Sequence, residues 1–223
     1  MPALSRRNLD DLSRWIRKKR RKPLVIRGAR QVGKSTLVRL FAEQAGLRLL
    51  EINLEQHRRL EPVFASLNVG RILLELEAIA GRSTGAAKSL LFLDEVQATP
   101  SALAALRYLH DERPELPIVA AGSLLEMVLR SHDFSMPVGR IEYLHLGPLT
   151  FEEFLGAVGE QHLLGLLGGW RTGQPWAREA HDKLLGRQRE FLAVGGMPEA
   201  VSEGEQELAR GARHGVAQPR WQV

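Results

Sequence analysis

Short apolar runs alternate with amphipathic segments along most of this chain. Apolar runs of this length are typical of strands buried on both faces of a parallel sheet, whereas apolar residues spaced three and four apart indicate helices with one buried face. The pattern predicts five strands, at residues 23–26, 47–54, 89–95, 116–123 and 139–146. It predicts helices at residues 8–19, 36–42, 72–80, 101–110 and 124–130, and again from residue 150 onward.

This alternation predicts an α/β fold in which a parallel five-stranded sheet is flanked by helices through right-handed crossovers. The segment from residue 161 to 201 is helical in pattern with glycine breaks, which indicates a small C-terminal helical lid. We therefore expect an α/β domain at residues 1–156 and a lid at residues 157–203. Residues 204–223 lose the apolar periodicity, so we expect a disordered tail there.

A glycine-rich segment lies between the first predicted strand and the following helix and fits the pattern Gly-x4-Gly-Lys-Ser/Thr of a P-loop. Its glycines let the backbone approach phosphates, and its N–H groups point at them from the positive end of a helix. Lys34 would reach the β- and γ-phosphates, and Ser35 would ligate Mg²⁺. The expected nucleotide-binding residues are Gly28, Ala29, Arg30, Gln31, Val32, Gly33, Lys34, Ser35 and Thr36.

ATP or ADP and Mg²⁺ are thus the expected ligands, and the fold is predicted to be that of a P-loop NTPase. The alternative is a glycine turn that happens to precede a helix. Because the strand, the loop, the Lys-Ser pair and the helix all agree, the sequence favours the nucleotide site.

The third predicted strand ends in two acidic residues, which is the Walker B pattern. Asp94 would hold the Mg²⁺ shell, directly or through water, and Glu95 would polarise the attacking water as general base. The alternative is an exposed acidic turn after a core strand. A further strand intervenes between the two motifs, which favours the branch of ATPases with an added central strand and a catalytic glutamate.

The composition limits the kinds of site that the protein can contain and the compartment in which we expect it. The chain has 223 residues, a net charge of +5 and no cysteine, so disulfides and thiolate metal sites are excluded. The sequence contains no run of apolar residues long enough to span a membrane, and its first residues lack the apolar core of a signal peptide. We expect a cytoplasmic protein that has no membrane partner.

Much of the positive charge is local, because seven of the nine residues from Arg14 to Lys22 are lysine or arginine. Such a run could bind the phosphate backbone of a nucleic acid. It could equally be the solvated end of the first helix, where cations suit the helix C-terminus. The sequence leaves both interpretations open.

Further short motifs accompany the two nucleotide motifs, namely Leu-Asp-Glu-Val-Gln at 93–97, Ala-Gly-Ser at 121–123, Gly-Arg at 139–140, Phe-Glu-Glu-Phe at 151–154 and Gly-Gly-Met-Pro-Glu at 195–199. In this order, and with the P-loop, they resemble the prokaryotic AAA+-superfamily ATPases of largely uncharacterised role. The resemblance covers roughly residues 6–201.

The resemblance implies roles at three further positions. Ser123 is similar to the polar sensor of the γ-phosphate, Arg140 to an arginine finger, and Pro198 to a lid element that contacts the nucleotide. Each has an alternative. Ser123 could cap the following helix, Arg140 could pair with a surface acid such as Glu142 or Glu153, and Pro198 could simply break a helix.

Two departures from the family stand out. Glu199 occupies the place where many AAA+ lids supply a sensor arginine, and the family usually continues into a larger C-terminal domain that is not found before Val223. The expected function is Mg²⁺-dependent hydrolysis of ATP to ADP and phosphate that drives a conformational change. The alternatives are a nucleotide-dependent switch with little turnover and an ATP-dependent DNA-binding module. A homo-oligomer or a separate effector protein is the expected partner.

Overall fold

The computed structural model of the chain describes residues 6–123 and 139–202. The helix predicted at 124–130 and the tail predicted at 204–223 lie outside these residues. Contacts divide the described chain into two units. Residues 7–147 form the sheet unit, and residues 148–202 form the helical unit together with Arg6. The functional domain boundaries expected from the sequence, after residues 156 and 203, stay a prediction.

Five parallel strands build the sheet unit: β1 Leu24–Arg27, β2 Arg48–Asn53, β3 Ser89–Asp94, β4 Ile118–Gly122 and β5 Glu142–His145. Their order across the sheet is β2-β3-β4-β1-β5. Strand β4 therefore lies between β1, which leads into the P-loop, and β3, which carries the Walker B acids. The predicted α/β fold with a five-stranded parallel sheet and an added central strand is confirmed.

Helices cover both faces of the sheet. As a result, β3 is buried along its whole length. They are α1 Asn8–Ile16, α2 Lys34–Gln44, α3 Glu61–Ala65, α4 Val69–Ala80 and α5 Pro100–Glu112, with single 3₁₀ turns at Arg58–Leu60 and Val96–Ala98. Leu91 and Leu93 point toward the core beneath α3, α4 and α5, and the alternate residues Leu90 and Phe92 are equally buried. Two covered faces explain the continuous apolar run of β3.

Local chemistry sets the ends of these helices. Asn68 caps α4 because its side-chain oxygen accepts a hydrogen bond from the Arg71 N–H, and Gly81 ends the helix at φ 61°. Helix α5 begins at Pro100, whose missing N–H suits a first helical position. The helix thus starts one residue earlier than predicted, and the hydroxyl of Ser101 donates to the Glu61 carbonyl.

Two segments differ from the sequence expectation. Helix α1 ends at Ile16 rather than at residue 19, because the chain turns back and the Trp15 indole donates to the Lys22 carbonyl at 2.8 Å. The segment 55–67 shows no clear periodicity, yet it folds into a 3₁₀ turn and α3, and it buries Leu60 and Phe64 in the core. Elements of three to five residues are too short for periodicity to show them.

Three helices make up most of the helical unit: α6 Phe151–Ala157, α7 Gln161–Gly169 and α8 Arg178–Val194, with a further helical stretch at 198–202. Thr150 and Glu153 form a capping box at the start of α6, since each side chain accepts from the other residue's N–H. Phe151, Phe154 and Phe191 form an aromatic cluster with ring centroids 5.3–6.3 Å apart.

A short turn after α8 packs against the chain just before α6. The Leu149 N–H donates to the Gly196 carbonyl at 2.7 Å. A Cβ atom at Gly196 would lie 2.4 Å from the Leu149 carbonyl oxygen, which is far inside contact distance. Glycine at this position therefore allows the turn to close on the helical unit.

None of the helices in residues 6–123 and 139–202 combines the length and the apolar character that crossing a lipid bilayer requires.

Replacing Gly196 by alanine is expected to destabilise the protein by about 1–3 kcal/mol, the usual cost of overpacking. The melting temperature should fall by about 2–4 °C for each kcal/mol. Gly186→Ala is the matched control, because Gly186 lies inside α8 with open space around its Cα. That variant should gain about 0.5–1 kcal/mol from helix propensity. Equal melting temperatures for the two variants would contradict the close packing at Gly196.

Candidate nucleotide site

The loop between β1 and α2 turns tightly at the two glycines of the P-loop pattern. A Cβ atom at Gly28 would lie 2.1 Å from the carbonyl oxygen of Leu146, the residue after β5, so only glycine fits against that backbone. Gly33 is the N-cap of α2 and adopts φ 90°, a left-handed conformation that favours glycine. The loop thus ends at the positive end of an eleven-residue helix, where the first N–H groups have no acceptor within the helix itself.

Lys34 is the first residue of α2 and is buried despite its charge. Its ammonium donates hydrogen bonds to two carbonyls of the loop, that of Ala29 at 2.7 Å and that of Gly28 at 3.2 Å. Burial lowers the pKa of Lys34, and the nearby Glu95 and Asp94 carboxylates oppose that effect. The cation is therefore held inside the loop and faces the two Walker B acids.

Ser35 and Asp94 meet directly, although they are 59 residues apart in the chain. The Ser35 hydroxyl donates to Asp94 Oδ2 at 2.5 Å, and the Glu95 N–H donates to Asp94 Oδ1 at 3.0 Å. Only 4% of Asp94 is exposed. Burial raises the pKa of Asp94, whereas the two hydrogen bonds act in the opposite direction.

The sheet register explains why these groups converge. Arg27 of β1 lies opposite Gly122 of β4, and Leu93 of β3 lies opposite Ala120. The chain therefore leaves β1, β3 and β4 at the same carboxyl edge of the sheet. Ser123 follows β4 at that edge and is 1% exposed. The structure thus brings Ser123 between the P-loop and the Walker B acids.

Glu95 turns the chain sharply after β3. Its backbone lies in the left-handed region at φ 52° and ψ 46°, which costs a residue with a Cβ atom about 1–2 kcal/mol. The turn brings the Gln97 amide onto the Glu95 carboxylate, with Nε2 donating to Oε2 at 2.5 Å. Sequence reasoning gave Gln97 no role, although the Leu-Asp-Glu-Val-Gln motif contained it.

Arg140 is not part of this cluster. Strand β5 runs parallel to β1 with Glu142 opposite Leu24, so Arg140 lies before the amino ends of the strands, at the far edge of the sheet. Its guanidinium pairs with Asp111 at the end of α5 at 3.0 Å. An acid on its own surface was one of the two sequence interpretations, and that acid is Asp111 rather than Glu142 or Glu153.

The remaining predicted residues are placed as follows. Ala29, Arg30, Gln31 and Thr36 are exposed along the loop, whereas Val32 is buried beneath it. Pro198 belongs to the helical unit, where it begins the helical stretch 198–202, and its contact with a nucleotide stays a prediction.

Several cations of the Arg14–Lys22 run are engaged within the protein. Arg14 pairs with Asp11, Lys18 pairs with Glu142, and Arg17 donates to the Ser13 carbonyl. Arg21 donates to the carbonyls of Ile16 and Glu115, and its guanidinium lies 5.7 Å from the centroid of the Trp15 ring. These contacts give the run a structural role at the end of α1, and nucleic-acid binding stays a prediction.

The donor set suits a metal that arrives with a nucleotide. Across residues 6–123 and 139–202, no group of three or more His, Cys, Asp or Glu side chains could hold a metal ion. Ser35 and Asp94 supply two oxygen atoms, and Mg²⁺ typically completes its shell with waters and substrate phosphates. The residues present therefore fit Mg²⁺ in complex with a nucleotide.

Three solved structures resemble the chain at low sequence identity. PCH-2 of C. elegans is 15% identical with a TM-score of 0.49, covering 81% of this chain and 52% of that chain. The ORC1 protein of Aeropyrum pernix in complex with DNA is 17% identical with a TM-score of 0.41, covering 92% and 65%. Drosophila ORC bound to DNA is 15% identical with a TM-score of 0.45, covering 96% and 67%.

This chain thus spans about half the length of the PCH-2 chain and about two thirds of the other two. A search of curated proteins finds no match. The sequence family described as "AAA domain" matches residues 20–155, which include the P-loop, both Walker B acids and Ser123. Because that match spans more than half of the chain, the protein belongs to the AAA domain family and is an ATPase-like member of the AAA+ superfamily.

Proposed function

We propose that this protein hydrolyses ATP to ADP and phosphate with Mg²⁺ and uses the reaction to drive a conformational change. The observation that carries the proposal is the convergence at one sheet edge of a buried lysine, a serine–aspartate pair and a second carboxylate. The Ser35 hydroxyl is 2.5 Å from Asp94 Oδ2, and the negative charges of Glu95 and Asp94 both act to raise the pKa of Lys34, which burial lowers.

The loop residues Gly28–Thr36 would bind the triphosphate. Backbone N–H groups at the start of α2 would donate to the β- and γ-phosphate oxygens, and the Lys34 ammonium would turn from the Gly28 and Ala29 carbonyls to those oxygens. Arg30 is exposed on the loop and is close enough for its charge to influence Lys34. Arg30 would therefore be a second cation near the bound phosphates.

Ser35 and Asp94 would hold Mg²⁺, Ser35 as a direct ligand and Asp94 directly or through water. A Mg²⁺ ion held by these residues would supply positive charge that offsets the negative charge developing on the phosphates. Because Asp94 is buried and held by two hydrogen bonds, its carboxylate is fixed in place before any ligand binds.

Glu95 would take the proton of the attacking water. The carboxylate of Glu95 is close enough to Lys34 and Asp94 for its charge to raise the pKa of both. Ser123, buried between the P-loop and β3, would donate its hydroxyl to the γ-phosphate. Pro198 would contact the nucleotide from the helical unit, which would act as a lid over the site.

Replacing Lys34 by alanine should abolish ATP binding in a fluorescence titration, because it removes a cation directed at the phosphates. Charge-assisted hydrogen bonds of this kind contribute about 1.5–3 kcal/mol each. Lys19→Ala is the control, since Lys19 is exposed in the basic run and should leave affinity unchanged. Wild-type ATP affinity in Lys34→Ala would rule out the P-loop as the nucleotide site.

Replacing Glu95 by glutamine should preserve ATP binding and slow hydrolysis by about 10²-fold or more, the scale for losing a general base. Glutamine keeps the size of the side chain and cannot accept a proton. Glu43→Gln, an exposed change on α2, should turn over at the wild-type rate. If phosphate release by Glu95→Gln equals that of the wild type, Glu95 has a structural role only.

Arg140 is proposed to act on the nucleotide of a neighbouring copy in an oligomer. It cannot serve its own site, because it lies at the opposite edge of the sheet. An arginine offers an always-charged fork to the γ-phosphate in the transition state. Assembly would then be required for turnover, and specific activity would rise with protein concentration.

Mixing Arg140→Ala with Glu95→Gln tests this arrangement. Neither variant should hydrolyse ATP well alone, but some mixed interfaces join an intact Glu95 to an intact Arg140, so part of the activity should return. Arg107→Ala is the control, because Arg107 is the other partner of Asp111, at 3.6 Å, and should remain active. No recovery at concentrations where the two variants associate would reject action in trans.

A further inference from the structure

Gln97 occupies a rigid position in the candidate site that the roles above leave unused. Three hydrogen bonds and a buried side chain fix the turn that carries it. The Ala98 N–H donates to the Glu95 carbonyl at 2.9 Å and the Thr99 N–H donates to the Val96 carbonyl at 3.2 Å. The Ala102 N–H donates to the Thr99 carbonyl, and Val96 is fully buried. The direction of the Gln97 side chain is therefore set by the fold.

Its amide nitrogen touches two residues of the site at once. Nε2 donates to Glu95 Oε2 at 2.5 Å and lies 3.5 Å from the Ser123 hydroxyl oxygen. The orientation of the amide follows from these neighbours, because turning the oxygen toward the Glu95 carboxylate would set two acceptors against each other. Gln97 thus connects the proposed general base to the proposed γ-phosphate sensor.

The carbonyl oxygen of the same amide lacks a donor within the described part of the chain. Gln97 Oε1 is buried and has no hydrogen-bond donor among residues 6–123 and 139–202. A buried acceptor in this condition is uncommon in folded proteins, since leaving it unpaired costs free energy. It needs a donor that the described part of the chain does not supply.

Two hydrogen-bond acceptors can fix the orientation of a water molecule that attacks phosphorus. When each of its two O–H bonds points at an acceptor, a lone pair is left to point at the γ-phosphorus. Glu95 supplies one acceptor through the carboxylate oxygen that is not bonded to Gln97. A second acceptor for this water would have to lie close to the Glu95 carboxylate. Gln97 Oε1 meets that condition, because the Gln97 side chain already contacts Glu95 and its oxygen is a buried acceptor.

We propose that Gln97 orients the attacking water, with Oε1 accepting one of its hydrogens while Nε2 holds Glu95 in place to accept the other. This inference rests on the proposed ATPase function. In the reaction the water oxygen forms a bond to the γ-phosphorus, and the bond from that phosphorus to the β,γ-bridging oxygen breaks. The electron pair leaves with ADP, and the water proton passes to the Glu95 carboxylate.

The test compares kcat and KM for ATP in the wild type, Gln97→Leu and Gln97→Glu. Leucine has a similar size and neither donor nor acceptor, so kcat should fall about 10²-fold, the usual effect of misplacing a reacting group. Glutamate keeps an acceptor but sets a second carboxylate against Glu95, so kcat should fall in this variant as well. KM and ATP affinity should stay near wild type in both, because neither change touches a phosphate-binding group.

A double variant separates positioning from a merely structural effect. If Gln97 and Glu95 act on the same water, adding Gln97→Leu to Glu95→Gln should lower kcat by less than about threefold further. Gln44→Leu, an exposed change at the end of α2, is the control and should be fully active. Melting temperatures of all variants show whether each has folded, and Gln97→Glu serves if Gln97→Leu has not.

Three outcomes would overturn the inference: kcat of Gln97→Leu within twofold of wild type, a raised KM with unchanged kcat, or a full additive loss in the double variant. A wild-type protein that binds ATP and releases no phosphate overturns the proposed ATPase function together with it. Wild-type turnover that does not depend on Gln97 overturns this inference alone.

Discussion

The hydrogen bond between Ser35 and Asp94 ties together two elements that the sheet keeps apart. Strands β1 and β3 are separated by β4, so their backbones lie about 9–10 Å apart at two strand spacings. The P-loop must therefore pass over the end of β4 before α2 begins. Strand β4 ends in the small residues Ala120, Ala121 and Gly122, which are all buried. The contact between Ser35 and Asp94 depends on the loop reaching β3.

Left-handed backbone conformations occur in both of the elements that this hydrogen bond joins. Gly33 has φ 90° at the start of α2, and Glu95 has φ 52° at the end of β3. A left-handed glycine is inexpensive, whereas a left-handed glutamate is not. The left-handed conformation of Glu95 turns its side chain and that of Gln97 toward each other, so that they form a hydrogen bond. Hydrogen bonds within the following 3₁₀ turn and the burial of Val96 hold the backbone in that conformation.

Long periodic segments and local motifs made much of this structure predictable. The apolar runs identified all five strands, and the P-loop pattern located Lys34 and Ser35 between β1 and α2. Short elements were missed because three to five residues carry no periodicity, as at α3. The partners of long side chains could not be predicted, because the pairing of Arg140 with Asp111 depends on where the end of α5 lies relative to the residues before β5. Gln97 was overlooked for the same reason, since its importance lies in the left-handed turn that precedes it.

The close approach of Gly28 to Leu146 has a mechanical consequence. Leu146 is the first residue after β5, its N–H donates to the Arg27 carbonyl at 2.8 Å, and the helical unit begins two residues later at Pro148. Backbone therefore rests on backbone with no side chain between them to absorb a displacement. A displacement of the peptide that leaves β5 would press directly on the backbone of the phosphate loop and change its curvature.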